Sequence, residues 1–345
     1  MISLTEINAV LDNRDPVSVE KLAQKSRGLT QQYFGRTISL YAPLYLSNYC
    51  SSHCTYCGFH SKNRIARIRL DPAQMRGEME NVARMGIENI LLLTGESYQA
   101  TPMAYLAEAV RAARDYFTGI SLEVHPMETD EYRELFRQGV DGITVYQETY
   151  DRDRYAEVHL SGRKSDYNYR RDTPRRAALG GIRQISLGIL LGLGDTARDL
   201  LALYGHLRWM EKHFPGVEYS LSFPRLRKIK GRAFALCDVD DTTFIKILCL
   251  TRVLFPRVGL NLSTREKPAL RDHAIEIGVT RLSAGSNTAV GGYGLLKTPA
   301  EQEPQFDIED KRSVHDIVRL LKAKEFDPIF TDWRPIDNAP DQNPS

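Results

Sequence analysis

The chain has 345 residues, a formal net charge of +2 at pH 7, and 42% hydrophobic against 26% charged residues. That composition excludes a disordered, collagen-like or fibrous chain, and the near balance of charge argues against nucleic acid or an acidic membrane as the partner. The longest apolar run, Ile185 to Leu193, is broken by Ser186, Gly188 and Gly192 and falls far short of the ~18 apolar residues that span a bilayer. The N-terminus carries Glu6, Asp12, Arg14 and Asp15 where a signal peptide needs an unbroken apolar stretch. A soluble protein of the reducing cytoplasm is expected.

In chain order, residues 1–37 form a helical extension with helices over Leu4–Leu11 and Val17–Tyr33. Eight β-branched or aliphatic runs follow: Ile38–Leu46, Asn89–Leu93, Gly119–Val124, Gly142–Gln147, Gln184–Ile189, Glu218–Phe223, Gly259–Leu262 and Val279–Ser283. Segments of helical period separate them. Asp71-Pro72-Ala73-Gln74 reads as a capping box with proline at the first helical position, and Thr101-Pro102 as a second cap of that kind. Gly86, Gly139 and Gly278 each close a helical stretch, as left-handed C-terminal caps do. Eight βα units predict an α/β fold, a (β/α)8 TIM-type barrel over residues 38–290, with a doubly wound open sheet as the alternative. Residues 291–345 form a C-terminal extension that completes the barrel surface, with a helix near Ser313–Lys324 and a frayed end from Pro340.

Of five cysteines, Cys50, Cys54 and Cys57 lie in one C-x3-C-x2-C string immediately after the first strand. Thiolates suit zinc or an iron–sulfur cluster. Structural zinc needs four ligands, usually in two separated pairs, and His53 is a poor fourth beside Cys54. A four-iron cluster on three cysteines keeps one iron open. Cys249, in the apolar run Phe244–Phe255, reads as a core residue, and Cys237 lies in a loop with no partner at ligand spacing. A structural metal scaffold without chemistry is the non-enzyme alternative.

The cysteine string, with Tyr56 before its last member, resembles the radical S-adenosylmethionine (SAM) superfamily, in which a [4Fe-4S] cluster binds SAM at its open iron. The loops at the C-terminal ends of the strands are polar, where barrel enzymes collect functional residues. Gly95-Glu96 after the second strand is similar to the Gly-Gly-Glu string that holds the amino group of SAM. Glu123 suits a ribose diol, or a barrel-mouth ion pair. Arg170, eleven residues before Gly181, resembles the arginine that grips the SAM carboxylate in biotin-synthase-like barrels; its other reading is one more solvated charge beside Arg171, Arg175 and Arg176.

Further strings, Tyr41 to Cys50, Val145 to Tyr150, Tyr155 to His159, Ser222 to Arg227, Leu262 to Glu266 and Arg281 to Ser286, resemble the aromatic amino acid lyases of this superfamily, above all the 2-iminoacetate synthases (tyrosine lyases) of bacterial thiazole biosynthesis. The resemblance runs from about Leu29 through Asp332-Trp333. It implies reductive cleavage of SAM to methionine and a 5′-deoxyadenosyl radical, hydrogen abstraction from the amino group of L-tyrosine, and scission of Cα–Cβ to 2-iminoacetate and p-cresol. It also implies an electron donor such as flavodoxin or ferredoxin, and thiazole synthase as consumer and partner. For a free amino acid the fork of Arg265 matches the carboxylate, with Ser263 and Ser283 or Ser286 as further donors; pairing of Arg265 with Glu266 or Glu148 is its structural alternative. Gln147 and Glu148 are expected to cap the fourth strand from inside the ring, Glu148 organising SAM or substrate or accepting a proton. Arg225, Arg227, Lys228, Lys230 and Arg232 make a basic loop, read first as a solvated face and second as an anion or partner contact. Among rivals, the tyrosine lyase of hydrogenase cofactor maturation carries further cysteines in a C-terminal extension, whereas no cysteine follows Cys249 here; a tryptophan lyase would share the carboxylate anchor.

Overall fold

In the computed structural model, which describes residues 2–226, 239–295 and 304–331, each of the eight runs is a strand of one parallel sheet. They are β1 (Thr37–Ser47), β2 (Asn89–Thr94), β3 (Gly119–Glu123), β4 (Gly142–Glu148), β5 (Gln184–Ile189), β6 (Glu218–Ser222), β7 (Gly259–Leu262) and β8 (Arg281–Ser283). Neighbours in sequence are neighbours in the sheet, and β8 returns to β1 through Ser39↔Arg281, Leu40↔Leu282 and Tyr41↔Ser283. The sheet therefore closes into a barrel, and the open doubly wound alternative is excluded. A short strand, β9 (Asp327–Ile329), adds to the start of β1 at Thr37–Ser39.

Strand alternation divides the side chains of β1. Ile38, Leu40, Ala42, Leu44 and Leu46 are fully buried in the apolar core, whereas Tyr41, Pro43 and Tyr45 face the barrel interior. Two helices, Leu4–Asp12 and Pro16–Phe34, precede the barrel, and the second packs on helices Asp241–Leu254 and Pro268–Ile277. Cys249 is buried in the first of these.

Local signals held with two exceptions. The Asp71–Gln74 capping box opens helix Pro72–Arg84, and Gly86 and Gly139 take left-handed conformations, φ +86° and +108°. Pro102, however, is itself the N-cap of helix Met103–Ala113, because the Thr101 hydroxyl donates to the Ser97 carbonyl at 2.9 Å instead of capping. Gly278 has φ 173°, an extended backbone that leads straight into β8. Cys237, Arg227, Lys228, Lys230, Arg232, Asp332, Trp333 and Pro340–Ser345 lie outside the described residues. Among the described residues no helix is long and apolar enough to cross a membrane.

The C-terminal segment is tied to the barrel by buried charge. Glu78, on helix Pro72–Arg84, accepts the backbone N–H groups of Tyr293 and Leu295 at 2.8 Å each. Arg271, 1% exposed, binds Asp310 and the Ser283 carbonyl. Removing one member of such a pair strands a buried charge, so Asp310→Ala is expected to cost ~3–5 kcal/mol of stability, read from the urea midpoint. A loss below ~1 kcal/mol would show that the pair does not hold this segment.

Candidate active site

At the C-terminal ends of the strands a cavity open to solvent is lined by Cys50, Cys54, Tyr56 and Cys57 from the loop after β1 and by Thr94, Gly95 and Glu96 after β2. The two loops are pressed together. Gly95 donates to the Ser47 carbonyl at 2.9 Å and Ser51 donates to the Glu96 carbonyl at 2.8 Å. A Cβ on Gly95 would collide with the Tyr49 carbonyl, so the residue before Glu96 must be glycine for this approach.

The cysteine loop has little regular structure, and its backbone is held by side chains. Arg67 donates to the carbonyls of Asn48, Phe59, His60 and Asn63 at 2.6–3.1 Å. On the other side His53 and Cys54 pair with Ser161 and His159 in a short antiparallel ladder, and the Tyr56 hydroxyl meets His159 Nε2 at 2.7 Å. His53 is stacked on His60 with ring centroids 5.0 Å apart.

All three thiols are free. Burial pushes Cys50 up to about 11 and raises Cys54 further, so a metal is needed to draw off their protons. Among the described residues no three His, Cys, Asp or Glu side chains converge on a single ion. Three thiols spread along one loop fit an iron–sulfur cluster, in which each takes its own iron. Room for an ammonium is present as well, because Glu96 Oε2 is buried without a partner, as are Thr94 Oγ1 and Ser286 Oγ. The residues fit both a cluster and SAM.

Four charged side chains form a chain along the wall. Arg170 is 8% exposed in its side chain, which removes the solvated reading. Its Nη1 donates to Glu96 Oε1 at 2.6 Å and its Nε to the Tyr146 carbonyl at 2.7 Å, while Nη2 lies 3.9 Å from Glu148 Oε1. Lys164 Nζ donates to the same Glu148 oxygen at 2.7 Å. Glu148 sits after a break in the β4–β5 register with φ +71°, a conformation that costs a non-glycine residue strain and recurs at functional sites. Burial alone would raise Glu148, but Lys164 and Arg170 outweigh it and hold its carboxyl below the usual range. Glu123, at the end of β3, forms no hydrogen bond or ion pair among the described residues; burial and the Glu148 charge push it up to about 7.

Opposite these groups, Arg265 lies over the Phe306 ring, 3.4 Å from its centroid, and burial lowers its pKa. Glu266 is bound by Arg225 Nε at 3.0 Å, and Arg225 also reaches Asp241 at 2.8 Å. Arg225 is thus a half-buried cation committed to the buried Glu266 and not part of a solvated face. Ser263, Ser283 and Ser286 line the same cavity, Ser283 Oγ accepting from Thr264 N at 3.0 Å.

Gln147 does not join the ring. It alternates with Tyr146 and Glu148, which point inward, so its own side chain faces away, with Nε2 directed to the Tyr167 carbonyl at 3.4 Å. The cavity also holds Lys164, Tyr41, Tyr45 and Tyr146, and from the C-terminal segment Gln305 and Phe306. Gln305 bridges Tyr45 Oη, at 2.9 Å, and Cys57 Sγ, at 3.7 Å. The alternation of Tyr41, Pro43 and Tyr45 along β1 was a signal for an aromatic inner wall.

The radical SAM superfamily pattern matches residues 44–207, and that of the Biotin and Thiamin Synthesis associated domain residues 222–327. The 2-iminoacetate synthase of Escherichia coli (strain K12) is 41% identical over 316 residues, 91% of this chain and 83% of that protein. That of Salmonella typhimurium is 39% identical over 336 residues, 96% and 88% of the two chains. The chain belongs to the 2-iminoacetate synthase family. It is accordingly a radical SAM lyase. The solved structure of the [FeFe]-hydrogenase maturase HydG from Carboxydothermus hydrogenoformans is similar to this member of the family, with TM-score 0.88 and 33% identity over 95% of this chain and 76% of that one.

Glu123 offers a direct test of the cavity's electrostatics. Between about pH 4.5, where the unfolded carboxyl ionises, and about 7, only the folded state keeps the proton, so stability falls as pH rises through this window and levels off above it. Urea unfolding of the cluster-free protein is expected to show this fall, and Glu123→Gln to remove it. Parallel curves for the two proteins would place the titration elsewhere.

Proposed function

We propose that this family member cleaves the Cα–Cβ bond of L-tyrosine to 2-iminoacetate and p-cresol, in the cytoplasm, with electrons from flavodoxin or ferredoxin and with thiazole synthase consuming the imine. The observation that carries this reading is one cavity lined by three cysteine thiols, an unpaired Glu96 oxygen and a half-buried arginine, Arg265. When bound, the [4Fe-4S] cluster and SAM supply a 5′-deoxyadenosyl radical able to take a hydrogen atom from the substrate.

The residues then divide the remaining work. Cys50, Cys54 and Cys57 hold the iron. Gly95 lets the end of β2 lie against them, and Glu96 takes the ammonium group of SAM. Arg170 orients Glu96 and adds positive charge at the carboxylate end. Tyr56 and Glu123 face the nucleoside. Arg265 anchors the tyrosine carboxylate, with Ser263, Ser283 and Ser286 as hydrogen-bond donors, and Tyr41, Tyr45, Tyr146 and Phe306 wall off the aromatic ring. A radical attacks most C–H bonds within reach, so this enclosure selects the atom that reacts. Gln147, facing away, takes no part.

Glu148 stays a carboxylate at neutral pH because of its two cations; it accepts hydrogen bonds and positions charge. Glu123, near 7, is better matched to exchanging a proton with substrate, since transfer is most efficient when pKa and pH are close.

An anaerobic assay with dithionite, SAM and either tyrosine or tryptophan tests the reading. Tyrosine is expected to give p-cresol and 5′-deoxyadenosine, and Cys54→Ala to give neither. Arg265→Lys is expected to keep SAM binding but lose tyrosine turnover by about tenfold or more, because an ammonium does not reproduce the bidentate fork. Indole-derived products from tryptophan without p-cresol from tyrosine would reassign the substrate.

A further inference from the structure

Gly58 follows the last cysteine of the string, and a close approach of two chain segments explains it. A Cβ there would stand 2.6 Å from the carbonyl oxygen of Gln305, so the glycine lets the C-terminal segment lie directly on the cysteine loop. That segment is fixed on its other side as well. Gln305 N donates to the Thr288 carbonyl at 3.1 Å, and Thr288 Oγ1 donates to the Phe306 carbonyl at 2.8 Å.

The side chain of Gln305 then reaches between two groups of the cavity. Its Nε2 donates to Cys57 Sγ at 3.7 Å, and its Oε1 accepts from Tyr45 Oη at 2.9 Å. Tyr45 is 3% exposed, with its ring edge-on to Phe59 at 5.8 Å between centroids. These neighbours decide which end of the amide faces the sulfur. A metal-bound thiolate accepts hydrogen bonds and cannot donate, whereas a tyrosine hydroxyl can do either. Only with its N–H groups toward Cys57 is the amide satisfied at both ends.

A thiolate that ligates an iron–sulfur cluster carries more negative charge once the cluster has taken an electron. A donor aimed at that sulfur therefore binds the reduced state more strongly than the oxidised one and raises the reduction potential. We propose that Gln305, oriented by Tyr45, hydrogen-bonds the Cys57 sulfur and raises the potential of the cluster, easing entry of the electron that begins the reaction. The proposal rests on the reading that Cys50, Cys54 and Cys57 hold a [4Fe-4S] cluster and does not depend on which amino acid is cleaved.

The test is an anaerobic redox titration of the cluster-loaded full chain without SAM, followed by electron paramagnetic resonance of the reduced cluster, with iron content as control. Gln305→Leu is expected to lower the reduced-to-oxidised ratio at a fixed potential by about tenfold, which for one electron is a fall of ~59 mV in the midpoint. Tyr45→Phe, which leaves the amide but removes its anchor, is expected to give a smaller fall in the same direction. A residue that merely packed the segment would change iron retention or the urea midpoint and leave the potential where it was. An unchanged or higher potential in Gln305→Leu at wild-type iron content would overturn the assignment. If that variant loses its iron, Gln305→Met, of similar length and without a donor, decides by the same criterion. A wild-type chain that shows no reducible iron signal after reconstitution overturns the cluster reading itself, whereas a variant without a shift removes only the role of Gln305.

Discussion

A guanidinium removed from water has to be met on every side, and the mouth of this barrel is arranged around one, Arg170. It draws in the carboxylate that follows β2, the carbonyl of Tyr146 and the carboxylate that ends β4. The positive φ of Glu148 and the break in the β4–β5 register beside it turn that carboxylate toward Arg170 and Lys164. Strain of this kind persists where surrounding contacts over-determine it. The strand between, β3, contributes Glu123, whose neighbours on both sides are already committed, so its carboxyl stays unpaired and easily protonated.

The cysteine loop meets the complementary problem. A loop that carries metal ligands forgoes helix and sheet, so its backbone groups need other partners. Arg67 supplies donors to four carbonyls, Asn48 bonds Ala66 O and Ile68 N, and the ladder to His159–Ser161 closes the far side. These partners all come from the chain itself, so the backbone that carries the three thiols is held by the protein's own groups.

What could be read from the sequence follows from where each signal resides. Strand runs, the Asp71–Gln74 capping box and the cysteine spacing are properties of consecutive residues, and the structure places all of them as read. Thr101 and Gly278 carried the right residue types for caps, but a competing acceptor, the Ser97 carbonyl, took the threonine, and an extended backbone sufficed at the glycine. Gln147 was misplaced by treating two adjacent strand residues as sharing a face, which pleating forbids. Arg170 has no local mark that separates it from Arg171, Arg175 and Arg176; resemblance singled it out and burial distinguishes it. Lys164, Arg67, Gln305 and Phe306 reach their neighbours only through closure of the barrel, so no window of sequence contains them together with what they touch.

The near-neutral composition also acquires a local meaning. Glu96, Glu123 and Glu148 face Lys164, Arg170 and Arg265 in the cavity, three acidic against three basic groups. Their distribution is uneven. Glu148 is held ionised by two cations while the pKa of Glu123 is pushed up to about 7, and Arg265 lies over an aromatic ring. On the proposed reading two amino acids share this space, and two cation sites, one built into an ion chain beside the cysteines and one set against Phe306, would give each carboxylate its own electrostatic address.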